Sequence, residues 1–246
     1  MEHTPFREDL ARWWREVERL PVLALIIGTL LLIVYEYQGG TGFFHVNLAS
    51  YFEPSRYSGL YGHLYWYFSA VVLLGVIPLL LLRLSGGDLK RFGLRLGRVR
   101  EGLTYSGIAL AAMLPVVFVA ASFPSFQTKY PLCYSAADSL THLLIYEAAY
   151  FLYYFAWEFF FRGFLLFSLE RRICAVYAVL VQIVPFALLH IGKPEMETIG
   201  SVFAGIALGV LALRTRSVLY CVLLHGLVAW AMDLAAMLLS GRWAGL

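Results

Sequence analysis

Six ionisable residues stand in segments that otherwise read as membrane-spanning. Glu147, Glu158 and Arg162 lie in YEAAYFLYYFAWEFFFRGFLLF (146–167), His190 ends PFALLH, and His225 and Asp233 lie in LLHGLVAWAMD. A charge at mid-bilayer depth costs a few kcal/mol on insertion scales, so helices rarely keep one without a use. Glu158 and Arg162 are at i and i+4, the spacing that lets a carboxylate meet a guanidinium on one helix face. Glu147 precedes Glu158 by eleven residues, which at 100° per residue leaves the two within ~20° on the helix circumference, with Phe151, Tyr154 and Arg162 on the same stripe.

Peptide hydrolysis asks for such a set: a water held and deprotonated by a base, and donors for the developing oxyanion. Two histidines can share that proton traffic, donate to the oxyanion, or ligate a metal. A transporter's proton relay draws on the same residue types. Against that alternative, no pair of broken spans occupies matching positions in two halves, and no inverted repeat is present. Taken alone, the Glu–Arg pair is also what a charge-neutralising lock looks like, and a single intramembrane histidine is what a packing residue looks like. Their clustering favours a site. The fourth, fifth and seventh apolar runs each carry ionisable groups, whereas the first three hold almost none in their cores and keep Glu36 and His63 at their edges.

These residues need a membrane scaffold to position them. The 246 residues are 61% hydrophobic and only 14% charged, with a mean hydropathy of +0.72, where a soluble domain is about a quarter charged. A formal net charge of +3, with no basic block alternating with exposed aromatics, is too small to suggest a nucleic-acid-binding surface, and the three separated cysteines, Cys133, Cys174 and Cys221, form no CxxC pair. Runs long enough to cross a bilayer predict seven spans: 20–37, 64–83, 103–122, 141–168, 174–191, 198–213 and 217–239. The expected fold is therefore all-α, a polytopic bundle of seven helices. A charged, amphipathic lead (1–19) with Trp13 and Trp14 is expected to lie along the cytoplasmic interface, and its length before the first apolar run argues against a cleaved signal. Residues 20–84 hold the first two spans, 85–240 the segment with the ionisable residues, and 241–246 a short tail. Fourteen Lys and Arg residues fall in links on one side and four (Arg56, Lys129, Lys193 and Arg242) on the other. That bias predicts a cytoplasmic N-terminus and a C-terminus outside. Counted along the helices, Glu158 lies about 20 Å and His190 about 27 Å from the cation-bearing link, so tilt, a kink at Pro185 or a later helix start must bring them level.

At these residues the chain resembles the CPBP family, the type II CAAX prenyl proteases and bacteriocin-processing (Abi) enzymes, whose signature is EExxxR, FxxxH and HxxxN on separate transmembrane helices. WEFFFRGF supplies Glu158 and Arg162, FALLH supplies Phe186 and His190, and HGLVA supplies His225; the basic stretch DLKRFGLRLGR also fits, so that the likeness covers about 85–240. Two positions depart: Trp157 stands where the family has its water-activating Glu, and Ala229 where it has the oxyanion Asn. The resemblance implies a multi-pass protein of the bacterial cytoplasmic membrane, an intramembrane endopeptidase acting on a membrane-tethered or transmembrane protein segment such as a C-terminal tail or sorting tag. A catalytically inactive member serving in immunity or as a membrane scaffold, and a proton-coupled transporter, are the alternatives. The site expected from the remaining residues has Glu158 activating water with His190, His225 stabilising the oxyanion, Arg162 fixing Glu158 and Asp233 steadying the helix of His225. Glu147 is the rival base. No cofactor is expected, zinc being the alternative, since the spacing is not the HExxH of a metalloprotease helix. The cavity is expected on the Glu147–Tyr154–Glu158–Arg162 face, with Trp157 beside it rather than inside it.

Overall fold

The structure, a computed structural model, describes residues 7, 8 and 19–242. The lead segment with Trp13 and Trp14 and the last four residues of the tail lie outside the described residues.

The chain is a polytopic all-α membrane protein with helical segments over all seven apolar runs. They are Arg19–Gln38, Ser58–Leu84, Val99–Ala121, residues 140–169, Ala175–Leu188, Glu195–Thr215 and Leu219–Leu239. Five of them are long and apolar enough by themselves to cross a membrane, and the fifth is a shorter apolar helix. The fourth is long but rich in tyrosine. Side chains such as Ile26, Leu30, Val116, Phe118 and Phe203 are exposed on the outer spans, which is what a lipid-facing surface demands, because hydrocarbon offers no hydrogen bonds and favours apolar contact. The fourth span is the exception. Every residue from 156 to 169 is buried, so this half of the helix is enclosed by protein rather than lipid. It is here that the chain can hold charge.

Local chemistry fixes that central helix. Ser139 caps its start, its hydroxyl accepting from the His142 backbone N–H at 3.2 Å, which satisfies one of the orphan donors of a helix N-terminus. His142 Nε2 in turn meets the Arg56 carbonyl at 2.9 Å. Further along, Tyr67 of the second span stacks on Tyr150 with ring centroids 4.9 Å apart and planes 12° from parallel. Such aromatic pairs contribute about 0.5–1.5 kcal/mol beyond their buried area.

The two ends of the bundle differ in charge. At one end the links 85–98, 170–174 and 214–218 are knitted together: the Arg98 N–H donates to Thr215 O at 2.9 Å and the Val218 N–H to Gly93 O at 3.1 Å. Arg214 pairs with Glu101 and Arg216 with Glu170. Gly93 sits at φ +83°, and a Cβ there would come within 2.7 Å of Val218, so the tight fold of the basic link against the seventh span requires glycine. At the other end Tyr130 donates to the Glu197 carboxylate, Lys193 pairs with the same group at 2.8 Å, and Arg242 lies over the Tyr134 ring. Within residues 19–242, the first end holds eleven Lys and Arg residues and the second four.

Candidate active site

Glu158 closes the regular α-helical part of the fourth span, and the next turns, Phe159–Leu166, are π-helical. Such widened turns are uncommon and recur at functional positions. Gly163 lies inside the widened segment, where a Cβ would stand 2.5 Å from the Phe159 ring and 3.0 Å from the Phe92 carbonyl oxygen. The FRG triplet therefore has a steric reason: Arg162 can be carried here only with a residue lacking a side chain behind it.

Arg162 and Glu158 are both fully buried. Arg162 Nη1 donates to Glu158 Oε1 at 3.1 Å, and the guanidinium lies over the Phe186 ring at 4.2 Å, a cation–π contact that strengthens as water is removed. His225 of the seventh span donates from Nδ1 to the same carboxylate oxygen at 2.6 Å. One oxygen thus accepts two hydrogen bonds, from Arg162 of its own span and from His225 of another. Arg162 Nε and Nη2 and Glu158 Oε2 have no partner among the described residues.

His190 lies beyond the last turn of the fifth span and folds back on it, its Nδ1 donating to the Phe186 carbonyl at 2.7 Å. A carbonyl only accepts, so Nδ1 carries the hydrogen and Nε2 has the lone pair. His190 thus stands level with position 157 of the fourth span. The helix ends at Leu188, and the ring returns to stand 4.7 Å from Phe186 and 6.1 Å from Trp157. The His225 ring is 6.2 Å from Phe186 and 4.4 Å from Tyr154. Phe186, the aromatic of the second motif, is therefore the spacer between both imidazoles and the guanidinium.

The two histidines line one cavity of about 250 Å³ together with Tyr150, Tyr153, Tyr154 and Trp157. Here the structure corrects the sequence reading. Trp157 is part of the cavity wall, and Glu158, Arg162 and Glu147 are not. The cavity lies along the 150–153–154–157 stripe, one helical face of aromatic residues, whereas the charged stripe turns into the bundle, where Arg162 and His225 engage Glu158. Trp157 is stacked on Tyr153 at 5.4 Å, and its indole N–H has no partner among the described residues.

Glu147 faces a second, separate groove between the fourth and seventh spans, with Leu144, Phe151, Trp230 and Leu234. Asp233 is fully buried and accepts from the Tyr146 hydroxyl at 3.1 Å. Tyr150 and Tyr154 line both spaces and form the partition between them. Sequence reasoning missed several contributors to the histidine cavity: Tyr150 and Tyr153 in the fourth span, Thr41 just past the first, and Lys129 before the fourth. The i, i+3, i+4, i+7 aromatic spacing was a legible signal for the tyrosines; nothing in the chain marked Thr41 or Lys129. Among the described residues no three His, Cys, Asp or Glu side chains group as a metal site.

Outside the spans, burial pushes the Tyr130 hydroxyl well above its usual range and the adjacent Glu197 carboxylate adds to this, so Tyr130 is a permanent donor to Glu197. Burial likewise pushes the Cys133 thiol up to about 11, which leaves it unreactive at neutral pH.

Residues 139–231, which contain all three motif segments, match the family model described as type II CAAX prenyl endopeptidase Rce1-like. No curated protein and no solved structure matches the chain.

Proposed function

Because this chain belongs to the CPBP family of membrane-embedded CAAX-type proteases, we propose that it is an intramembrane endopeptidase whose chemistry is run by the paired imidazoles of His190 and His225. The observation that carries this reading is that both rings line one cavity with Nδ1 already engaged, His190 on a carbonyl and His225 on Glu158.

In this reading His190 is the base. Its Nε2 lone pair takes a proton from a cavity water, which attacks the scissile carbonyl, and later gives that proton to the leaving amine. His225 donates to the oxyanion. An imidazolium there needs a counter-charge, and Glu158 Oε1 supplies it at 2.6 Å. Glu158 then serves as a positioning residue rather than as the group that touches water, and Arg162 fixes it in turn. Glu147, in the other groove, has no part in this chemistry. The substrate is a membrane-tethered or membrane-spanning protein segment, with a C-terminal tail or sorting tag as the favoured form.

A second reading draws on Trp157. An indole occupies the motif position where the family's base stands, in contact with His190, which suits a member that binds such segments without cutting them. The experiment is a cleavage assay with purified protein in detergent and a panel of tail-anchored reporters. Cleavage by the wild type that His190→Ala and His225→Ala each abolish supports the protease. Reporters retained by the wild-type protein but never cut support the binding-only reading.

A further inference from the structure

The cavity that holds the histidines has a direction. Its outer lining comes from three segments: Glu36, Gly40, Thr41 and Gly42 at the end of the first span and after it, Lys129 and Leu132 before the fourth, and residues 191–193 after the fifth. All three belong to the cation-poor end of the bundle, where Tyr130 and Lys193 meet on Glu197 and so join the second segment to the third. Glu36, Gly42, Ile191 and Gly192 are exposed at this rim. Towards the other end no described residue lines this cavity. Below Glu158 and Arg162 the rings of Phe92, Phe160, Phe161, Phe164 and Phe167 are each at most 2% exposed and fill the bundle down to the basic link.

Lysine and arginine in short links mark the cytoplasmic side of a membrane protein. The closed end carries the described basic links, with Arg83, Lys90, Arg91, Arg95, Arg98, Arg171, Arg172, Arg214 and Arg216. We infer that the histidine cavity opens on the non-cytoplasmic face of the membrane, and that its substrate is a peptide segment displayed on that face, either the outer flank of a membrane-spanning protein or a chain tethered to the outer leaflet. A cytoplasmic lipid-modified tail would meet the aromatic plug and the basic links, not the histidines. The identity of the substrate rests on the protease reading above; the direction of the opening does not.

The experiment separates the two. The native Cys174 is exposed in the link at the closed end, and Cys133 and Cys221 are buried, so one cysteine placed at the rim gives a two-point comparison. Ile191, 70% exposed on the cavity rim, is replaced in Ile191→Cys, with Thr41→Cys as a second rim variant should the first not be produced. Intact cells are treated with a membrane-impermeant maleimide before and after permeabilisation. The expected result is labelling of the rim cysteine in intact cells and of Cys174 only after permeabilisation. Labelling of Cys174 in intact cells, or failure of both rim cysteines to label there, overturns the orientation. In a second arm, matched reporters carry the same cleavable segment on one side of the membrane or the other. Cleavage confined to the outward-facing reporter is expected, and cleavage confined to the inward-facing one overturns the substrate side. If neither is cut in spite of rim labelling, the protease reading fails while the direction of the opening stands.

Discussion

Replacing Glu158 by glutamine tests the arrangement most sharply, because it changes charge and almost nothing else. The wild-type carboxylate accepts on one oxygen from Arg162 at 3.1 Å and from His225 at 2.6 Å, with no exposure to solvent. The substituted amide would keep the shape and an acceptor oxygen for the same two donors, but not the negative charge. Arg162 keeps its charge and its bond to the amide oxygen, so the loss of stability stays below the ~3–5 kcal/mol of breaking a buried pair outright. The effect on turnover should be larger than folding alone explains. In the proposed mechanism Glu158 holds His225 in place as the oxyanion donor, and loss of one such donor costs about 10²–10³-fold in kcat.

The assay is reporter cleavage under saturating and limiting substrate, run beside a thermal melt of the same preparation. Glu158→Gln should stay folded with KM unchanged and kcat down, and Glu158→Asp should recover part of the loss. Arg162→Ala should be the worse-folded protein, since it strands a buried carboxylate at about 3–5 kcal/mol. A well-folded Glu158→Gln protein that cleaves normally refutes the role given to the Glu158–His225 contact. Equal loss of expression in every variant at 158 and 162 would reduce the pair to a structural lock.

Activity should persist in a chelator, because the described residues bring no three metal-ligating side chains together; loss that zinc reverses in the same cleavage assay would contradict this. Gly163→Ala should lower the melting temperature, since its Cβ would meet the Phe159 ring at 2.5 Å and the Phe92 carbonyl at 3.0 Å, and overpacking of this kind costs about 1–3 kcal/mol. Trp157→Glu should raise turnover while destabilising the fold by at least the ~3–5 kcal/mol of a truncated core aromatic, because a carboxylate on the cavity wall beside His190 adds a second proton acceptor; a folded variant with unchanged turnover would show that base strength does not limit the reaction.

The spans were legible because lipid leaves so little freedom. The run 217–239 became Leu219–Leu239 and 103–122 became Val99–Ala121. The i,i+4 pairing of Glu158 with Arg162 was legible for the same local reason. What the sequence hid was azimuth against depth. Glu147 shares the stripe of Glu158, yet eleven residues at 1.5 Å each put them ~16 Å apart along the axis, and Tyr150 and Tyr154 wall Glu147 into another space. The bond between His225 and Glu158 joins residues 67 apart in the chain, a distance no local pattern spans. The charged stripe is the conspicuous one in the sequence, whereas the cavity follows the aromatic one. The buried Glu158 carboxylate is held by donors inside the bundle, which turns the charged stripe away from the cavity.

That distinction bears on how a chain with Trp157 in the motif's first position can still bear a working site. Position 157 faces the cavity and position 158 faces the bundle, 100° apart on one helix. A residue on the wall can change without disturbing what holds the helix together, and this chain carries an indole there, stacked on Tyr153 and 6.1 Å from His190. A residue turned inward cannot change so freely: Glu158 is bonded to two spans, and removing it would strand Arg162 in a region with no exposed residue from 156 to 169. The retained half of the motif is thus the half that stability enforces, and its presence by itself says little about catalysis. In the proposed mechanism the histidines carry the functional weight instead. His190 closes no helix and neutralises no charge, yet it is folded back by a bond to Phe186 so that its ring stands on the same cavity as His225. Stability alone has no use for an imidazole placed so, beside the rings of Tyr150, Tyr153, Tyr154 and Trp157, whereas a reaction that must move a proton has an immediate one.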